Sequence, residues 1–160
     1  MRDKSSLRIP ALDPASVAPA VGSNYPDAFK PRVAGRAKRK LGDALGLKNF
    51  GVNLTTIKPG VASALRHWHL KQDEFVYILE GELVLVSDGG EQTLTAGMAA
   101  GFPAGRADGH HLVNRSQRDA VYLEVGDRTP GDGASYPDDD LVASAVPGGW
   151  TFTHKDGRPY

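Results

Sequence analysis

Short apolar or alternating runs follow one another from residue 50 to residue 125. No amphipathic helix of any length comes between them. The runs at 50–57, 65–70, 74–79, 83–87, 92–95, 98–102, 110–114 and 120–125 each have the length and β-branched or aromatic content of a strand. Lys58-Pro59-Gly60, Glu80-Gly81, Asp88-Gly89-Gly90 and Pro103-Ala104-Gly105 punctuate them as turns. Nineteen glycines and eleven prolines in 160 residues suit many short strands. Strands this short and this regularly spaced call for an all-β, antiparallel structure, closed or built of two packed sheets.

Chemistry concentrates in the same span. His67 and His69 sit one residue apart, and Glu74 follows five positions after His69. In an extended strand, residues i and i+2 share a face, so the two imidazoles stand side by side with Trp68 opposite. A turn over 70–73 lets the next strand run back, and Glu74 opens it. Two imidazoles and a carboxylate converging on one point make a coordination shell for a divalent first-row metal. His110 is the candidate fourth ligand, and four of the five histidines fall in these two stretches. His111 competes with it, but alternation turns the two opposite ways. We prefer His110 and leave His111 to the outer face or to a supporting contact. His154 reads as a surface strand residue.

These residues resemble the paired motifs of the cupin superfamily. Gly60, His67, His69, Glu74 and Gly81 follow the first motif, with six residues rather than five between Gly60 and His67. Gly97, Pro103, Gly105, His110 and Asn114 follow the second, with four residues rather than two between Gly105 and His110. The resemblance spans roughly 49–125 and implies a double-stranded β-helix, or jelly-roll barrel, with one metal held by His67, His69, Glu74 and His110. It also implies a homodimer. The apolar character of residues 75–79 and 83–86 on both faces agrees with a covered outer surface. Three nitrogens and one oxygen suit Zn, Fe, Mn, Ni or Co alike.

The rest of the chain frames this core. Residues 1–48 read as an extended N-terminal arm and lead-in packed on the barrel. Five prolines before residue 32 forbid a long helix, and Ile9, Leu12, Val17, Tyr25 and Phe29 offer apolar anchors. The basic run 36–40 reads as a solvated loop or helix turn, since no aromatics interleave it. The barrel core occupies 49–126. Residues 127–160 read as an acidic loop over 129–140 and a last strand from Trp150, all within one domain. Asp138, Asp139 and Asp140 lack the alternating spacing of a calcium loop and read as a solvated or capping cluster.

Composition narrows function. Nineteen basic and nineteen acidic residues balance, so nucleic acid and anionic membranes are not expected partners. No cysteine is present, which removes disulfides, thiolate metal sites and cysteine nucleophiles and is compatible with a cytoplasmic setting. The start carries charge without an apolar run behind it, so no signal peptide is expected. The expected partner is a small-molecule ligand or substrate. The reading is a metal-binding cupin acting as a sugar or sugar-phosphate isomerase or a dioxygenase. The alternatives are a non-catalytic binding or sensing barrel and a storage barrel with a vestigial site. No catalytic residue beyond the metal ligands is assigned. Arg66, Tyr77, Phe102 and Asn53 are candidate pocket residues, with a core role suiting Phe102 better and a surface role Arg66.

Overall fold

The computed structural model describes residues 7–160. The first six residues of the expected arm, where the chain start was read as lacking a signal peptide, lie outside the described residues. Thirteen strands, one short α-helix, α1 (Leu41–Ala44), and two 3-10 turns, Pro14–Ser16 and Lys30–Val33, form the regular structure of the described residues. One layer is a six-stranded antiparallel sheet. Its order is β1 (Ala20–Val21), β2 (Arg36–Lys40), β3 (Phe50–Ile57), β10 (Ala120–Asp127), β5 (Glu74–Glu80) and β8 (Ala99–Phe102). The opposite layer has two smaller sheets. One runs β13 (Gly149–Thr153), β12 (Leu141–Val146), β11 (Gly133–Tyr136), β4 (Trp68–His69). The other runs β7 (Gly90–Thr95), β6 (Glu82–Ser87), β9 (His111–Val113). A backbone bridge between His67 and His110 stitches the two together, with hydrogen bonds of 3.2 and 2.9 Å. The result is the antiparallel jelly roll the strand spacing called for.

Alternation decides what faces inward. On β5, Val76 and Ile78 are buried while Phe75, Tyr77 and Leu79 are exposed. Val76 and Ile78 pack with Leu83, Leu85, Leu112 and Tyr122 in one apolar core. A second core joins Tyr25 and Val33, from the N-terminal segment, to Leu65, Tyr136, Leu141 and Ala143. The polar site lies between these cores. Gly81 turns β5 into β6 with φ +75°, and a Cβ there would meet the Asp119 carbonyl oxygen at 2.9 Å. Only glycine fits that conformation and that approach.

Three segments differ from the sequence reading. The basic run 36–40 is strand β2, not a loop or helix turn. Two of its inner-face heads find partners: Arg36 donates to the carbonyls of Ser63 (2.5 Å) and Gly22 (2.7 Å), and Lys38 to Glu124 (2.6 Å). The loop expected over 129–140 contains β11, and β12 follows it unforeseen. These strands are made of small residues, Gly133-Ala134-Ser135 and Ala143-Ser144-Ala145, which carry little strand signal. At Gly133 a Cβ would lie 2.9 Å from Leu70 Cδ1 and 3.3 Å from the Ala143 carbonyl oxygen, so a side chain there needs Leu70 to shift. The strand expected over 65–70 is reduced to β4, with His67 held by its bridge.

The three consecutive aspartates are clamps. Asp138 takes a bidentate pair from Arg66 at 2.7 and 2.6 Å. Asp139 pairs with Arg32 at 2.7 Å, and Asp140 accepts from His154 and the Lys155 N–H at 2.8 Å each. They pin the two ends of the chain to the loop before β12. Among the described residues, no helix is long and apolar enough to cross a membrane.

Candidate metal centre

β4 sets the first two donors. His69 lies opposite Ala134 of β11, and His67 lies opposite His110. The period-two geometry puts both rings on the interior face, with centroids 5.0 Å apart. Glu74 begins β5 in the facing layer, where it pairs with Gly126 and Phe102. The ligand atoms of His67, His69 and Glu74 all lie within 4.8 Å of one another. His110 meets the group on the carboxylate side. Glu74 Oε2 stands 3.7 Å from His67 Nε2, 3.7 Å from His69 Nε2 and 2.9 Å from His110 Nε2.

The other nitrogen of each ring shows why these donors suit a metal. His67 Nδ1 donates to the Leu65 carbonyl at 2.8 Å, while His110 stands between two acceptors, its Nδ1 3.1 Å from the Asp108 carbonyl and its Nε2 2.9 Å from Glu74 Oε2. His69 Nδ1 donates to Asp132 Oδ2 at 2.6 Å. A carbonyl or carboxylate oxygen only accepts, so Nδ1 of His67 and Nδ1 of His69 each carry the hydrogen. In a neutral ring that leaves Nε2 as a bare lone pair. Two such lone pairs, on His67 and His69, lie beside the Glu74 carboxylate. His67, His69 and Glu74 are a group that could hold a divalent transition-metal ion, with Asp132 and the Leu65 carbonyl supporting the two rings from behind and His110 beside the carboxylate.

Burial and charge shape the group. Burial drives the His67 imidazole down to about 4; attraction to Glu74 opposes this, and repulsion from His69 and His110 adds to it. Burial alone would raise Glu74, but the His110 hydrogen bond and the nearby histidine charges hold it well below the usual carboxylate range. The sign for stability follows. Unfolded His67 takes its proton near pH 6.5, the folded residue only near 4. In that window the unfolded chain binds more protons, so the metal-free protein loses stability as pH falls through it. Glu74, protonating first in the unfolded chain, adds in the same direction below its ordinary value of 4.5. The thermal midpoint of metal-free protein is expected to drop steadily from pH 6.5 to 4, and a flat profile would contradict the burial argument.

Aromatic rings wall the group. Phe102 stacks on His110 at 3.6 Å and 1°, Tyr136 on His67 at 5.6 Å, and Trp150 meets His69 edge-on at 5.8 Å. Of the other candidate pocket residues, Asn53 also lines the interior. Tyr77 points outward, and Arg66 is committed to Asp88 and Asp138 at the surface. His111 donates Nδ1 to the Ala64 carbonyl at 3.0 Å and stays out of the group around Glu74. His154 pairs with Asp140 and stacks on Tyr160 at 4.0 Å. Asn114 is no ligand either. Fully buried, it donates to the carbonyls of Ile57 (2.8 Å) and Arg118 (2.7 Å) and accepts from Ser116, so it fixes the loop before β10.

Two partners escaped sequence reasoning. Asp132 sits in Gly131-Asp132-Gly133, which reads as a turn, yet its side chain is 0% exposed and holds both His69 and the Lys71 N–H (2.7 Å). Glu124 on β10 accepts from Lys38 (2.6 Å), Asn53 (3.1 Å) and Tyr122 (3.0 Å). Its inward position follows from alternation, but partners so distant in sequence leave no local signal. Two cavities reach Glu74. The smaller, about 280 Å³, is walled by Trp68, Phe102 and Arg106. The larger, about 990 Å³, runs along the six-stranded sheet past Glu124 to Lys40.

A jelly roll with three histidines and a glutamate turned into its interior beside a cavity defines a class of small β-barrels with a group that could hold an ion. The chain belongs to the cupin superfamily. A Cupin domain profile matches residues 53–126. A sugar phosphate isomerase of the cupin superfamily from Silicibacter pomeroyi is 47% identical, with 94% of this chain and 96% of that one covered and a TM-score of 0.91. A proposed sugar phosphate isomerase from Acidithiobacillus ferrooxidans is 30% identical over 78% of this chain and 80% of its own, with a TM-score of 0.70. The polyketide cyclase RemF from Streptomyces resistomycificus shares the fold at 21% identity, covering 76% and 82%, with a TM-score of 0.62. No curated protein matches the chain at a significant level.

Proposed function

We propose that the protein is a metal-dependent isomerase of sugar phosphates, with His67, His69, Glu74 and His110 holding one divalent ion. The observation that carries this reading is the 47% identity, across nearly the whole of both chains, to a sugar phosphate isomerase. The donor set gives it a chemical footing. The bound ion would supply a Lewis acid for a carbonyl and its neighbouring hydroxyl. The chain's own groups do the rest. Asp132, Leu65 and Asp108 fix the imidazoles with Nε2 toward the cavity. Phe102, Tyr136 and Trp150 exclude water around them. Glu124, with Lys38 and Asn53 against it, presents a polar surface suited to sugar hydroxyls. Burial raises the phenols of Tyr136 and Tyr122, so both stay protonated and serve as hydrogen-bond donors at neutral pH.

The test is turnover. Protein loaded in turn with Zn, Mn, Fe, Co or Ni is incubated with aldose and ketose phosphates in deuterated water. Aldose–ketose interconversion followed by NMR supports the reading. Tight binding without turnover for every metal and substrate would replace it with the binding or sensing alternative.

The same reading includes a homodimer. The outer face of the six-stranded sheet exposes Phe50, Phe75, Tyr77 and Leu79, an apolar patch that a second copy would cover. The expected mass in dilute solution is twice 17.1 kDa. Tyr77→Glu is expected to give monomer that keeps its fold, because Tyr77 touches no core. A wild-type chain that sediments as monomer at micromolar concentration would remove the dimer.

A further inference from the structure

The inner face of the six-stranded sheet carries a floor that the metal centre does not use. The antiparallel registers set its rows. The first runs Glu74 on β5, Gly126 on β10 and Gly51 on β3. The second runs Val76, Glu124, Asn53 and Lys40, the last on β2. Gly126 and Gly51 place no side chain beside Glu74, so the sheet is bare there. Neither has the left-handed conformation that would require glycine. A Cβ would find its nearest neighbours at 3.6 Å and 3.7 Å, in ordinary contact. Neither packing nor backbone conformation demands these two glycines, and both line the larger cavity.

Lys40 bounds the far end of that floor. Arg36, Lys38 and Lys40 alternate on one face of β2, and all three line the cavity shared with Glu74. Arg36 is spent on two carbonyls and Lys38 on Glu124. Arg128, also on the cavity wall, is held by Asp43 and the Leu47 carbonyl. Lys40 has no hydrogen-bond or ion-pair partner among the described residues. Three strand spacings separate β5 from β2, roughly 14 Å across the sheet. The Lys40 side chain shortens that span from one end and Glu74 from the other.

We propose that this floor is a subsite for an open-chain sugar phosphate. The carbonyl end lies at the metal group, the carbon chain over Gly126 and Gly51, the hydroxyls against Glu124 and Asn53, and the phosphate at Lys40. The proposal rests on the isomerase reading for its substrate class and adds the direction in which the substrate lies. A free cation at that distance suits a phosphorylated polyol, where a two-carbon acid would reach only the metal group. No bond changes in this step. Lys40 is a binding residue, with charge-assisted hydrogen bonds to phosphate oxygens.

Binding, not turnover, tests it. Zinc-loaded protein is titrated calorimetrically with glucitol 6-phosphate and with glucitol, neither of which can isomerise. The wild type is expected to bind the phosphate ester at least about tenfold more tightly. Lys40→Met, which keeps length and removes charge, is expected to erase that preference and leave glucitol unchanged. Gly51→Val is expected to weaken both ligands together, with the thermal midpoint and zinc content of each variant close to wild type. Equal affinity of the wild type for the two ligands, binding of neither, or an undiminished phosphate preference in Lys40→Met overturns the subsite. If the preference stands while aldose–ketose turnover fails, the reaction is lost and the subsite remains.

Discussion

Glu74→Gln is expected to purify folded but essentially free of metal, and inactive. Glu74 is the only anionic donor in the proposed group, and its Oε2 lies within 3.7 Å of the Nε2 atoms of His67, His69 and His110. Glutamine keeps the shape, so the strand pairing of β5 with β10 and β8 has no reason to change. It removes the charge that offsets a dication in a buried site, and an amide nitrogen can donate to one of the imidazoles in the ion's place. Loss of an orienting partner alone weakens metal affinity roughly 10- to 100-fold. Loss of the one charged ligand should exceed that. Metal analysis after dialysis is expected to show less than a tenth of the wild-type content, with far-ultraviolet circular dichroism unchanged. His154→Gln is the matched control, because His154 lies with Asp140 and Tyr160 at the surface. It is expected to retain full metal content. Wild-type metal content in Glu74→Gln would place the ion elsewhere and end the four-donor reading.

The strands of the barrel were legible because burial on one face imposes alternation. Phe50–Ile57 forms β3 at the limits its apolar run set, and Val76 and Ile78 are buried as their phase required. The clustering of His67, His69 and Glu74 was legible because two of the few histidines stand at strand spacing with a carboxylate on the next strand. What stayed hidden depends on contacts far apart in the chain. A basic run reads as solvated until Glu124, 86 residues from Lys38, is brought beside it. Strands of glycine, alanine and serine read as loop, because their pairing rests on backbone bonds and on room left for neighbours such as Leu70. The candidate pocket residues split for the same reason. Asn53 and Tyr77 both stand on strands, and only the register told which one faced the cavity.

Asp132→Asn is expected to weaken metal binding, less severely than Glu74→Gln, while touching no ligand position in the group. The carboxylate, with its side chain 0% exposed, accepts from His69 Nδ1 at 2.6 Å through Oδ2 and from the Lys71 N–H at 2.7 Å through Oδ1. Asparagine keeps one acceptor. The backbone N–H of Lys71 has no tautomer to change, so the amide oxygen is expected to stay with it. The amide NH2 then faces His69 Nδ1, which must become an acceptor. The ring hydrogen moves to Nε2 and occupies the lone pair that the ion needs. The opposite amide orientation would set two N–H groups against each other in a buried place, at roughly 1–3 kcal/mol for the unsatisfied donor. The first orientation avoids that clash, and with it the cost falls on the metal more than on the fold. Zinc affinity is expected to drop roughly 10- to 100-fold. Nitrogen-15 imidazole shifts distinguish this cause from general loosening. His69 should change to the Nε2–H tautomer while His67 and His110, anchored by the carbonyls of Leu65 and Asp108, keep theirs. Asp132→Ala removes the acceptor from Lys71 as well, so it should lower the thermal midpoint where Asp132→Asn does not. Equal metal loss with an unaltered His69 tautomer would refute the hydrogen-bond argument and leave Asp132 a packing role only.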